Sequence, residues 1–427
     1  MRWLLIGYMF LFIERPFEVW TWLGDMHIER IYMLFMLGVW VIYPNKRFLP
    51  NIQHAAYVAF VTGVLFAWAI SPWSSYGQPV VEDWLKIVVF YVLLVTCIHD
   101  EEGLKHIAMG FLAVMAFYLL HSFREYMAGR HTYRMGISRM IGVDTTLGDP
   151  NSFGASIVFA LPIVVALWKA GIGGRLGRLM LLGYVGLSSL CILLTGSRSS
   201  LLGLLLWFTI IIWGTKYRFK ALIGFALMAP VAFVALPESL QTRFETIINP
   251  EVGPANARES GEGRYQGLVM GFQQWANNPL TGIGPGAWRP ANNTKIESHN
   301  LYGQLFGETG SVGGGAFIGL LLCFWINLRM VRRIRKDVPE WQHDLIFTLS
   351  SSIGTAVFLL LFMGNFGHNL FRYTWLWYGG FLIIARHCVE QRLAVWDPEA
   401  EPEVDEEMEM EPEPELPPGW ILHGPHG

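Results

Sequence analysis

The chain has 427 residues, 53% of them hydrophobic and only 15% charged, with 18 Trp and 28 Phe. That composition excludes a soluble globular protein of this size, and the apolar residues fall in blocks long enough to span a bilayer. The formal charge of −3 hides a division: residues 396–427 hold 11 acidic and no basic residues, which leaves 31 basic against 23 acidic residues elsewhere.

The apolar runs are continuous rather than alternating, which excludes a β-barrel and predicts an all-α polytopic membrane protein. Twelve candidate spans lie near residues 2–13, 31–43, 54–71, 84–98, 104–120, 152–168, 178–195, 200–214, 219–236, 301–327, 344–363 and 370–386. The first is short enough for a signal-peptide core, but Glu14-Arg15-Pro16-Phe17 follows it in place of a small-residue cleavage site. Cys97, Cys191, Cys323 and Cys388 lie in or beside these runs without close spacing, so they indicate neither a disulfide framework nor a metal site.

Lys and Arg in the short connections orient the spans. Odd-numbered connections, counted from the one after the first span, carry few basic residues. Even-numbered ones carry Lys46-Arg47, then Lys169, Arg175 and Arg178, then Lys216, Arg218 and Lys220, then Arg329 to Lys336. Both termini are therefore expected in the cytoplasm. Residues 121–150 break the rule, being outside yet carrying Arg124, Arg130, Arg134 and Arg139. Either a span is miscounted or these arginines face an anionic ligand. We favour the second, because one shifted span would invert every later loop.

The chain divides into membrane helices 1–9 (residues 1–236), an outer loop (237–300), membrane helices 10–12 (301–390) and a Pro/Glu-rich tail (391–427). The tail cannot bury a core and is expected to be disordered. The loop is too long for an ordinary connection. It reads as a helix over Glu238–Ile248, a turn-rich stretch over Pro250–Gly263, and an amphipathic helix over Arg264–Asn277 lying on the outer membrane surface. The apolar positions Tyr265, Leu268, Val269, Phe272, Trp275 and Ala276 carry that helical period.

Within this frame a few polar residues stand where polarity is costly. His299 sits where the outer loop meets a membrane helix, followed by Asn300, with Glu308 deeper in the span. No second His or Cys stands at ligand spacing, so no metal site is read. Arg198, in Gly196-Ser197-Arg198-Ser199-Ser200, is either a snorkelling interfacial arginine or, with Arg264, part of a phosphate-binding face. Gly282-Ile283-Gly284-Pro285-Gly286 resembles a phosphate loop, but no strand precedes it, and it reads as a tight turn. Asp149-Pro150-Asn151-Ser152 caps the sixth span, with Asn151 or Ser152 as N-cap and Asp149 placed to face a cavity. Gly303, Gly307, Gly310 and Gly313–Gly315 suit close helix packing.

Taken in order, these pieces resemble the O-antigen ligase-like family of membrane glycosyltransferases. The resemblance rests on Thr195-Gly196-Ser197-Arg198-Ser199, on Arg264 through Gly286, and on His299-Asn300 followed nine residues later by Gly310-Ser311-Val312-Gly313. Asp149-Pro150-Asn151 with Leu161-Pro162 adds a weaker fourth piece. Arg15-Pro16-Phe17 faintly resembles a branch associated with exosortases. The resemblance implies transfer of a glycan from an undecaprenyl-pyrophosphate carrier to a lipid or protein acceptor on the periplasmic side of the inner membrane. It implies His299 as base, with Arg198 and Arg264 on the pyrophosphate. Asn151, Ser197, Asn300, Glu308 and Arg139 are read as substrate-binding. Neither metal, cofactor nor nucleic acid enters this reading. The alternatives are a polymerase of the same superfamily and, in a different class, a lipid-linked-sugar transporter. The transporter would call for internal repeats, and none is visible.

Overall fold

The computed structural model describes residues 1–396 except 135, 147, 250, 251, 253 and 254; the acidic tail lies outside the described residues. The chain opens with α1 (Arg2–Glu14), α2 (Pro16–Val19), α3 (Thr21–Asp25) and α4 (Ile28–Ile42). It continues with α5 (Ile52–Ile70), α6 (Ser74–Cys97) and α7 (Glu101–Met127), then a hairpin of β1 (His131–Arg134) and β2 (Ile137–Met140). Then come α8 (Pro150–Lys169), α9 (Gly174–Thr195), α10 (Arg198–Trp213), α11 (Arg218–Val234), α12 (Glu238–Glu245) and α13 (Ala255–Asn277). The last elements are α14 (Trp288–Asn292), α15 (Leu301–Asp337), α16 (Leu345–Gly364) and α17 (Thr374–Val395), with a 3-10 turn at Pro339–His343.

Each of the twelve apolar stretches coincides with a helix, and α5, α7, α8, α9, α15 and α16 are long and apolar enough to cross a membrane. In lipid a helix satisfies its own backbone groups, so continuous apolar runs fold this way. The chain is an all-α membrane protein apart from the hairpin, paired antiparallel with Thr132 opposite Arg139 and Arg134 opposite Ile137. The core forms where α8 meets α16, α9 and α10 and where α15 meets α5. Trp84 of α6 and Trp375 and Trp377 of α17 are fully buried in the same core, and all four cysteines are free and buried.

Three expectations are corrected. The stretch read as turn-rich is helical from Ala255, so Arg264 lies in the third turn of α13 rather than the first. Ala255, Ala257, Arg258, Glu259 and Glu262 favour helix strongly enough to carry Gly261 and Gly263. The basic run Arg329–Lys336 continues α15 instead of forming a loop, with Arg335 and Lys336 set favourably at the negative end of the helix dipole. Finally, α13 does not merely lie on the membrane surface. It packs along the first turns of α15, where Gly267 and Gly271 meet Gly303 and Gly307 backbone to backbone.

Helix α15 is broken at Gly310 (φ 60, ψ −158), a conformation open essentially to glycine alone. The broken turn is repaired from outside. Ile283 and Gly284 N–H donate to the Gly307 and Glu308 carbonyls at 2.9 and 3.0 Å, and Ser311 and Val312 N–H donate to Pro279 and Leu280 at 2.8 and 3.0 Å. Glu308, fully buried, accepts from Gly286 N–H (3.2 Å) and Gln304 (3.3 Å), and Ser71 Oγ donates to the Ile283 carbonyl. The glycine-proline segment is thus a plug for a helix break, with positive φ at Gly282, Gly284 and Gly286.

Candidate functional site

The connections following odd-numbered apolar helices converge on one face. Arg139 of the hairpin donates through Nε to the Thr195 carbonyl (2.6 Å), Arg243 of α12 lies 3.4 Å from the Gly196 carbonyl, and Arg198 donates to Thr246 Oγ1 (3.1 Å). Beside these contacts lies an open cavity of about 300 Å³. Five arginines line it (Arg134, Arg139, Arg243, Arg264 and Arg372) against two carboxylates, Asp149 and Glu297.

Each arginine is aimed by its neighbours. Arg139 is buried by the hairpin and also donates through Nη2 to Asn151 Oδ1 at 3.0 Å. Asp149, not Asn151 or Ser152, is the N-cap of α8. Its Oδ1 accepts from the Asn151 and Ser152 N–H groups at 3.0 and 3.3 Å, because Pro150 at the first helical position needs no hydrogen-bond acceptor. Arg372 donates to Ser156 Oγ (2.8 Å) and the Ser152 carbonyl (3.1 Å), tying the last outer connection to α8. Arg264 lies over the Phe366 ring, 5.4 Å from its centroid.

The electrostatics record a positive charge in excess. Burial, opposed by Asp149 and helped by Arg134, Arg198 and Arg264, pushes Arg139 down to about 10. Burial and Arg198 push Arg264 down to about 10. Burial and the fields of Arg198, Arg139, Arg264 and Arg134 push Arg243 down to about 9. All three stay protonated at neutral pH, so the cavity presents repelling guanidinium groups that an anion would relieve.

His299 lines this cavity together with Arg264 and a second imidazole, His368, whose ring centroid is 5.5 Å from its own. Burial first, then Arg264, depresses the His299 pKa; burial, His299 and Arg372 push His368 down to about 4. Both imidazoles are neutral at pH 7, and a neutral imidazole is what a base at this position requires.

The structure therefore brings His299, Arg264, Arg139 and Asn151 to one cavity and places the other expected site residues behind its wall. Arg198 is buried one residue from the lining Ser199, near enough to depress its arginine neighbours. Ser197 is the N-cap of α10, its Oγ accepting from Ser200. Asn300 caps α15, its Oδ1 accepting from Tyr302 and Gly303 N–H at 3.0 Å. Glu308 holds the plug. Ser197, Asn300 and Glu308 thus each bond to protein and are not among the residues that line the cavity. Arg243, Arg372 and His368 were not read from the sequence. A signal for the last existed, since His368-Asn369 repeats the His299-Asn300 pair in another odd-numbered connection.

Residues 183–318 match the family model described as O-Antigen ligase. Over those residues the chain is O-antigen ligase-like, which supports a membrane enzyme of the O-antigen ligase and polymerase superfamily. The match covers Arg198, Arg243, Arg264 and His299, whereas Arg134, Arg139, His368 and Arg372 complete the cavity from outside it. No curated protein matches the chain.

Proposed function

We propose that this protein is a glycosyltransferase that moves a glycan from undecaprenyl pyrophosphate to a hydroxyl acceptor. In this reading twelve helices span the inner membrane, both termini are cytoplasmic and the cavity opens to the periplasm. The observation that carries it is the one cavity lined by Arg134, Arg139, Arg243, Arg264 and Arg372 together with His299 and His368. Arg264, Arg139 and Arg243, with Arg198 behind them, hold the pyrophosphate of the donor. His299 takes the proton of the acceptor hydroxyl as its oxygen attacks the anomeric carbon. The bond from that carbon to the pyrophosphate oxygen breaks, and configuration at the sugar inverts. The leaving group departs as an anion that fixed cations stabilise, so the step requires no general acid.

The reading as a ligase rests on the outer connections, of which the longest, 237–300, brings Arg243, Arg264 and His299 to the cavity. A polymerase has to seat two carrier-linked glycans. Deleting the gene is expected to leave full-length glycan on its lipid carrier and the acceptor bare, and His299→Ala is expected to reproduce this at normal protein abundance. Acceptor capped by a single repeat unit would instead identify a polymerase. Activity of His299→Ala within about tenfold of wild type, roughly 1.4 kcal/mol of barrier, would remove His299 as the base. Transfer is expected to persist in excess chelator.

A further inference from the structure

The segment Arg15–Glu18 has no part in the chemistry above, yet it is built with unusual care. Arg15 adopts left-handed backbone (φ 49, ψ 53), uncommon for a residue with a side chain, and Pro16 starts a new helix directly after it. The turn delivers the Glu18 carboxylate to a loop more than 120 residues away. Its Oε2 accepts from Thr145 N–H (2.5 Å) and Thr145 Oγ1 (2.8 Å), its Oε1 from Thr146 Oγ1 (2.7 Å), and Arg15 Nε pairs with the same carboxylate.

Thr145 and Thr146 are exposed, and their described contacts across the molecule are these hydrogen bonds to Glu18. The flanks are fixed otherwise: Gly142 N–H donates to the Gly148 carbonyl (2.8 Å), Val143 N–H to Ser122 Oγ (3.2 Å), and Tyr118 to Asp144. The loop runs from β2, which carries Arg139, straight into Asp149 and Asn151, and all three residues line the cavity. Burial favours a neutral Glu18, but the Thr145 amide, Arg15 and the two hydroxyls outweigh it and hold the carboxyl below its usual range. The anchor is therefore charged at neutral pH, and charge-assisted hydrogen bonds are the stronger kind.

We propose that Glu18 is a positioning residue that clamps the 142–149 loop and so sets Arg139 against Asp149 and Asn151 for binding the pyrophosphate of the donor. The inference rests on the reading of the arginine cavity as a pyrophosphate site. A pre-ordered loop spares the ligand the entropy of ordering it, so losing the clamp costs affinity rather than the fold.

The test uses the full chain in detergent, with inorganic pyrophosphate as the probe in titration calorimetry and thermal unfolding measured alongside. Glu18→Gln is expected to weaken binding about tenfold with the melting temperature unchanged. The double variant Thr145→Val/Thr146→Val, which attacks the exposed side of the same contact, is expected to weaken it similarly. Combining all three changes should add little, because they remove one interaction. Arg264→Ala is the control. If it binds pyrophosphate as wild type does, the cavity reading itself fails and the inference falls with it. If Arg264→Ala weakens binding while Glu18→Gln and the threonine pair do not, the cavity reading stands and the clamp is refuted. Fully additive losses refute it too, as does a loss that appears only with a lowered melting temperature in both sets.

Discussion

His299 shares the cavity with Arg264 and His368, and its surroundings fix the direction in which its titration moves. Burial and the Arg264 guanidinium disfavour the imidazolium, while Asp149 opposes them more weakly. A base works in its neutral form, so a depressed pKa carries activity further into acid. The acid limb of kcat/KM, which reports the free enzyme, is therefore expected below pH 6.5, the ordinary imidazole value. An acid limb above 6.5 that vanishes in His299→Gln would show that the arginine field does not reach this ring. Arg264 invites a second measurement. Its planar group both stacks on Phe366 and offers two parallel donors, and lysine reproduces neither. Arg264→Lys should lower kcat/KM at least tenfold, about 1.4 kcal/mol. Full activity in that variant would reduce Arg264 to a source of general positive potential.

Among the elements, the break in α15 does most to place these residues. Gly310 lets the helix stop and restart, and residues 279–286 fill the gap with backbone hydrogen bonds, which seats Trp288 and α14 against the cavity. Any side chain at 310 meets both an unfavourable φ and the Leu280–Thr281 backbone. Gly310→Ala should cost about 1–3 kcal/mol from the backbone conformation alone. Thermal unfolding in detergent measures this, and an unchanged midpoint would mean that the break carries no strain. Here the sequence was legible only in part. The apolar helices could be read because length and continuity suffice to define them. The Gly282–Gly286 turn was read as tight, but nothing local says that it closes a break 25 residues onward. The hairpin was missed because its strands are only four residues long and do not alternate apolar with polar residues, and the burial of Arg139 that it achieves is made in tertiary structure. His299 could be read from its place at a span boundary. His368 repeats the His-Asn pair in the sequence, but only the fold shows that its ring lies 5.5 Å from that of His299.

At the scale of the whole molecule, the contacts sort the connections by parity. Glu18 in the first reaches Thr145 in the fifth, Ser71 in the third reaches Ile283 in the ninth, Arg139 in the fifth reaches Thr195 beside the seventh, and His299 in the ninth faces His368 in the eleventh. On the other side, His99 in the fourth contacts the Arg47 carbonyl in the second, and Arg392 at the end of α17 pairs with Glu101 beside the fourth and Asp344 in the tenth. The proposed topology, in which each of the twelve apolar helices crosses and the next returns, requires that sorting. It also accounts for residues 121–150, where Arg134 and Arg139 line the cavity instead of obeying the charge rule. Thiol labelling tests the arrangement cleanly, because all four native cysteines are buried and contribute little background. Cysteines placed at the exposed Tyr133 and Lys295 should react with an impermeant reagent in intact cells, and those at the exposed Lys216 and Lys336 only after permeabilisation. Basic residues kept in the cytoplasm at 216 and 336 demand that order. If Tyr133→Cys and Lys295→Cys labelled from opposite sides, one helix between them would fail to cross, and the cavity they flank could not form. If both labelled only after permeabilisation, the cavity would face the cytoplasm, away from the side proposed for transfer.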